Sequence, residues 1–154
     1  MFTLQSSGTS NYLFGIWGSD VNNVWVVGGL ASSTILKWNG SAWTAQNSGT
    51  SANLTGIWGS DATHIWAVGG GGTILQSSGT TWTAQTSGTT SGLSGIWGSD
   101  ATHLWAIGSG GAVLVGNGST WSPQSSNTSD NLYAVWGSDP GNILAVGNFG
   151  TILK

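Results

Sequence analysis

Apolar residues along this chain come in bursts of four to six, each closed off by Gly, Ser, Asp or Asn. The segment from Leu13 reads L-F-G-I-W-G-S-D, that from Leu54 L-T-G-I-W-G-S-D, that from Leu93 L-S-G-I-W-G-S-D and that from Leu132 L-Y-A-V-W-G-S-D, at offsets of 41, 39 and 39 residues. A second burst follows each time: V-W-V-V-G from Val24, I-W-A-V-G from Ile65, L-W-A-I-G from Leu104 and I-L-A-V-G from Ile143. A third, T-I-L, begins at Thr34, Thr73 and Thr151, with A-V-L at Ala112; a fourth, W-T-A-Q, begins at Trp43 and Trp82 and becomes W-S-P-Q at Trp121.

Short runs rich in β-branched and aromatic residues, bounded by turn formers, are strand signals. Four of them in a period near 40 residues describe a four-stranded antiparallel meander, the blade of a β-propeller. In the first repeat the expected strands cover about 13–19, 24–28, 33–38 and 43–47, and the pattern then shifts by the repeat offset. The fold class is therefore all-β, with four blades at about 13–47, 54–86, 93–125 and 132–154, the last with residues 1–6, in one propeller domain or half-ring.

The fourth repeat carries no fourth phrase after its third. A match stands at the other end: Phe2-Thr3-Leu4-Gln5-Ser6-Ser7-Gly8-Thr9 aligns with Trp43-Thr44-Ala45-Gln46-Asn47-Ser48-Gly49-Thr50. The N-terminal strand is expected to complete the C-terminal blade beside Gly150–Lys154, leaving no open sheet edge. Two closures satisfy that expectation. One chain could close a ring of four, or two chains could exchange terminal strands as a homodimer and close an eight-bladed ring.

Composition narrows the chemistry. The 154 residues include 27 Gly and 11 Trp but only two Lys, no Arg, no Glu, five Asp and no Cys. Scarce helix formers disfavour a helical fold. A net charge of -3 with so few cations excludes nucleic acid and anionic membrane surfaces as partners, because both demand Lys/Arg clusters. No apolar run is long enough for a membrane-spanning helix, Met1 is followed by no signal-peptide pattern, and nothing marks a compartment. No cofactor motif is present.

The phrases G-I-W-G-S-D-A-T-H-I-W-A-V-G-G-G-G-T-I-L and G-T-T-W-T resemble bacterial propeller repeats of the Ycf48-like and BNR (sialidase-type Asp-box) kind, blade by blade over essentially the whole chain. The Asp-box pattern S-x-D-x-G-x-T-W is degenerate, with Asn39 and Asn117 where Asp is expected and no carboxylate in Ser78–Trp82. Sialidases of that architecture are similar to one another in using an arginine cluster and a Tyr–Glu pair. With no Arg and no Glu, that activity is excluded here. Other glycosidases need two facing carboxylates. The repeated ones, Asp20, Asp61, Asp100 and Asp139, occupy equivalent turns, and Asp130 is solitary. No Cys nucleophile and no G-x-S-x-G elbow exists, so no catalytic residues are expected.

Each W-G-S-D aspartate suits an Asx-type turn. Alternatively, four equivalent carboxylates could ring the propeller axis and hold a hard cation as a metal site. His64 and His103 precede the second strand in two repeats, with Asn23 and Asn142 in the others; a turn role is the expectation, a shared metal the alternative. The recurring tryptophans suit packing between blades. Trp38 has no counterpart in the other repeats and is the candidate ligand contact. The expected function is a non-catalytic binding or scaffold module for a protein partner. A lectin-like propeller binding glycans, or a structural unit, natural or engineered, that self-assembles without ligand, are the alternatives.

Overall fold

The computed structural model describes residues 2–30 and 32–154. Its strands are β1 (Leu13–Asp20), β2 (Asn23–Gly28), β3 (Thr34–Trp38) and β4 (Trp43–Ala45), then β5 (Leu54–Asp61), β6 (His64–Gly69), β7 (Ile74–Ser77) and β8 (Trp82–Gln85). The third set is β9 (Leu93–Asp100), β10 (His103–Gly108), β11 (Val113–Gly116) and β12 (Trp121–Gln124), and the last is β13 (Leu132–Asp139), β14 (Asn142–Gly147) and β15 (Ile152–Leu153). Each set is its own antiparallel sheet in chain order. The all-β, four-stranded blade expected from the repeat is the observed fold.

Sheets stack in sequence order, with β1 against β5, β5 against β9 and β9 against β13. A central blade is therefore covered on both faces, which explains why β6 reads as a continuous apolar run rather than an alternation. Period-2 geometry still sorts its side chains. Ile65 and Ala67 join the core shared with the first blade, while Trp66 and Val68 join the core shared with the third.

Between the first strands of successive blades, a tryptophan meets a glycine. A Cβ placed on Gly59 would lie 2.7 Å from the Trp17 ring, and Gly98 and Gly137 stand in the same relation to Trp58 and Trp97. Each indole also stacks on its own second strand, with ring centroids 5.9 Å apart for Trp17–Trp25 and 6.1 Å for Trp58–Trp66. Glycine is required at these sites for room, not for its backbone freedom. At the rim a second device repeats: Trp82 Nε1 donates to Gln46 Oε1 at 2.9 Å, and Trp121 Nε1 to Gln85 Oε1 at 2.7 Å.

The expected pairing of Phe2–Gln5 with the C-terminal blade does not occur within the chain. The last sheet has three strands, β13-β14-β15, and the side chains of Phe2 and Leu4 are fully exposed. The reason lies in the stacking: each blade follows the last in one direction, and the faces of the first and fourth sheets are left uncovered. Gln5 instead accepts from Trp43 Nε1 at 3.2 Å, the position of Gln46 toward Trp82. Residues 7–11 form the same Ser/Thr turn as the loops between blades, with Thr9 N donating to Ser7 Oγ and Asn11 N to Thr9 Oγ1.

Gly98→Ala forces a methyl to within 2.7 Å of both Trp58 and Leu104 and should cost about 1–3 kcal/mol in chemical denaturation. Gly92→Ala, whose Cβ meets only Ser109 Oγ at 3.7 Å, is the control and should leave the midpoint unchanged.

Candidate functional site

The two ends of the blades differ in chemistry. At one end lie the hairpins joining first to second strands and third to fourth strands, which touch: a Cβ on Gly79 would meet Ala62 O. All four W-G-S-D aspartates are here. Asp61 Oδ1 accepts from Thr63 N at 2.8 Å and from Thr63 Oγ1 at 2.6 Å, and His64 Nδ1 lies 2.9 Å from Asp61 Oδ2. Asp100 repeats this with Thr102 and His103. In Asp20 and Asp139 the backbone N–H comes from Asn22 and Gly141, and Asn23 and Asn142 replace the histidine through Nδ2.

These donors hold the Asp61 and Asp100 carboxyls well below the usual carboxylate range, with the Thr hydroxyl bond the largest cause in each. Asp20 and Asp139 are lowered too, first by the Asn22 backbone bond and by the Asn142 side chain respectively. Each carboxylate is thus engaged within its own turn. Among the described residues no group of three or more His, Cys, Asp or Glu side chains comes together to hold a metal ion. The third–fourth-strand turn works the same way, since Asn117 Oδ1 accepts from Ser119 N and Thr120 N at 3.0 and 2.9 Å.

Trp38 faces Trp43 across β3 and β4, rings 5.3 Å apart and tilted by 46°. It lies beside the open groove formed with Gln5, Ser6, Gly8, Ser41 and Ala42 at the outer edge of the first blade. Of the recurring indoles, Trp25 and Trp66 are fully buried and Trp82 and Trp121 nearly so, while Trp136 is exposed.

The opposite end carries the loops between blades and those between second and third strands, mostly Ser, Thr and Gly. Here Gly72, at φ +73°, packs so tightly on the next loop that a Cβ would lie 2.1 Å from Thr89 O, and only glycine suits both demands. Against this uniform background, the first and last blades expose aromatic residues. Tyr12 stacks on Phe14 (6.2 Å, 8° between planes), with Leu30 exposed on the same blade. Tyr133 donates its hydroxyl to Asn148 Oδ1 at 2.6 Å, beside exposed Phe149 at φ 52°. No sequence motif marks these residues. Their signal was the departure from the repeat itself: Phe14 and Tyr133 stand where Thr55 and Ser94 stand in the middle blades.

Asp61→Ala should lower stability at neutral pH by about 1 kcal/mol through the lost turn acceptor, with no response of the melting temperature to chelator. Because the folded-state carboxyl is depressed, its contribution is complete above the ordinary carboxylate range. It should fade as pH falls below about 4, so that wild type and variant converge in acid.

No family model matches the chain, and no curated protein matches it. Solved structures do. The fold is similar to YCF48 from Cyanidioschyzon merolae, with a TM-score of 0.74 and 24% identity over 92% of this chain and 50% of that one. A structure described as YCF48 bound to D1 peptide superposes with a TM-score of 0.76 at 20% identity, over 93% of this chain and 50% of that one. The chain is thus a β-propeller by fold and spans about half the length of the solved relatives it matches.

Proposed function

We propose that the chain is a non-catalytic propeller module that binds an extended protein segment at the loop end bearing Tyr12, Phe14, Tyr133 and Phe149. The observation that carries this reading is where the repeats diverge. Blades nearly identical elsewhere place exposed aromatic rings at the same end of the first and last sheets. Tyr and Phe offer large rigid contact area at little entropic cost. Two of these rings are already fixed, Tyr133 by its bond to Asn148 and Tyr12 by stacking on Phe14, which reduces the ordering cost of binding. The neighbouring Ser, Thr, Gly and Asn groups supply donors and acceptors for a peptide backbone. That a structural neighbour was solved with a bound peptide supports the same use of the fold.

Composition supports the absence of catalysis: Arg, Glu and Cys are missing, and four of the five Asp side chains are tied into turns. The glycan reading needs repeated exposed indole faces, and most recurring tryptophans are buried or half-buried between blades.

Peptide-display selection on the immobilised chain, run beside a glycan array, tests the proposal. Selected peptides should lose at least tenfold in affinity to Phe14→Ala and Tyr133→Ala while the variants keep the wild-type melting temperature. Glycan binding without peptide binding, or peptide binding indifferent to both substitutions, would overturn it.

A further inference from the structure

The two ends of the blade array are halves of the interface that recurs inside it. On the first blade, Leu13 is 42% and Ile16 is 68% exposed, whereas their equivalents Leu54 and Ile57 are 0% and 9% exposed against the preceding sheet. On the fourth blade, Ile152 is 70% exposed where Ile74 is 1%. The knob-and-hole pairs tell the same story. Trp17, Trp58 and Trp97 each fill the space over a glycine of the next blade, but Trp136 projects exposed with no glycine to meet. At Gly18, the first glycine of that series, the three atoms nearest a Cβ belong to its own hairpin's Val24 and Asn23 rather than to an indole.

A cavity of about 340 Å³ lies between the third and fourth blades, lined by Trp105, Val113, Gln124, Val135, Ile143 and Leu153 among others. In the two preceding interfaces the corresponding space is occupied by the aromatic residue that opens the fourth strand, Trp82 in one and Trp121 in the other. Trp105 is only half-buried, although its equivalents Trp25 and Trp66 are fully covered. The space therefore has a defined shape: one fourth strand, led by an aromatic side chain, aligned along β15. Residues 2–5 have that sequence, with Phe2 at the position of Trp43, Trp82 and Trp121. They already run outward from the first blade along the path of a preceding fourth strand, as the Gln5–Trp43 bond shows.

We propose that a second copy of this chain covers both faces, so that two chains of four blades close one two-fold ring. In it, residues 2–5 of each copy become the fourth strand of the other's last blade. Repeat equivalence sets the register: Ile74 pairs with Gln85 and Leu75 with Ala84, so Ile152 meets Gln5 and Leu153 meets Leu4 of the second copy. Phe2 enters the cavity, and Trp136 seats over Gly18. Both seams form together, because each chain offers one donor strand and one acceptor edge. At the seam Phe2 has no indole N–H to donate to Gln124, where Trp82 donates to Gln46 and Trp121 to Gln85 inside the chain. The inference rests on packing alone and stands apart from the peptide reading, although it would bring Tyr133 and Phe149 of one copy beside Tyr12 and Phe14 of the other.

Sedimentation velocity of the 154-residue chain from nanomolar to tens of micromolar should give a mass that plateaus at twice 15.6 kDa. Phe2 is fully exposed in a lone chain, so substitutions there report on the seam rather than on folding. Phe2→Ala and Ile16→Asp should weaken dimerisation at least tenfold. Phe2→Trp, which restores the indole donor and fills more of the cavity, should tighten it. A mass of 15.6 kDa at tens of micromolar would overturn the proposal and assign these faces to another partner. So would a mass that keeps growing with concentration, or a dimer indifferent to all three substitutions.

Discussion

A sheet that is apolar on both faces has no stable existence alone, and this constraint governs the whole molecule. The second strands, such as β6, bury side chains to both sides, so every blade needs a neighbour on each side. The hydrophobic gain comes from the stacking, with each fully buried large side chain contributing roughly 1.5–3 kcal/mol relative to exposure. Trp–Gly pairs between inner strands and Trp–Gln bonds at the rim then fix how one blade sits on the next. Stability in such an array is close to a sum over blades and nearest-neighbour interfaces.

That logic explains why so much of the architecture could be read from the sequence. Four phrases repeated four times specify strands, order and antiparallel pairing, and the observed strand limits differ from the expected ones by two residues or fewer in the first blade. The Asp turns were legible for a local reason: an Asp followed by Thr-His or Asn-Asn carries its own donors two and three residues on. Where residues 2–5 go was not legible. A strand phrase names a partner type, the exposed third strand of a blade, but not which chain supplies it. That choice depends on the angle accumulated over three interfaces, and no single residue encodes it.

The aromatic loop end was missed for the opposite reason. Repeats draw attention to what recurs, and recurrence in this chain reports packing. Trp17, Trp58 and Trp97 recur because each interface needs the same knob. Phe14, Tyr133 and Phe149 do not recur, and all three are exposed. Trp38, also unique, tilts onto its cross-strand neighbour Trp43 beside the groove at the outer edge of the first blade.

The placement of the four turn aspartates has an electrical consequence. Their carboxyls remain ionised well into acid and all stand at one end of the blades, while of the five carboxylates only Asp130, hydrogen-bonded to Thr151, belongs to the loops at the other. Both lysines stand toward the same end, Lys37 one residue before the β3–β4 hairpin and Lys154 in the cavity lining with Pro140 and Gly141, and offset part of this charge. Four aspartates against two lysines leave the hairpin end negative. An acidic partner therefore meets repulsion at the hairpin end, whereas at the aromatic end only Asp130 opposes it.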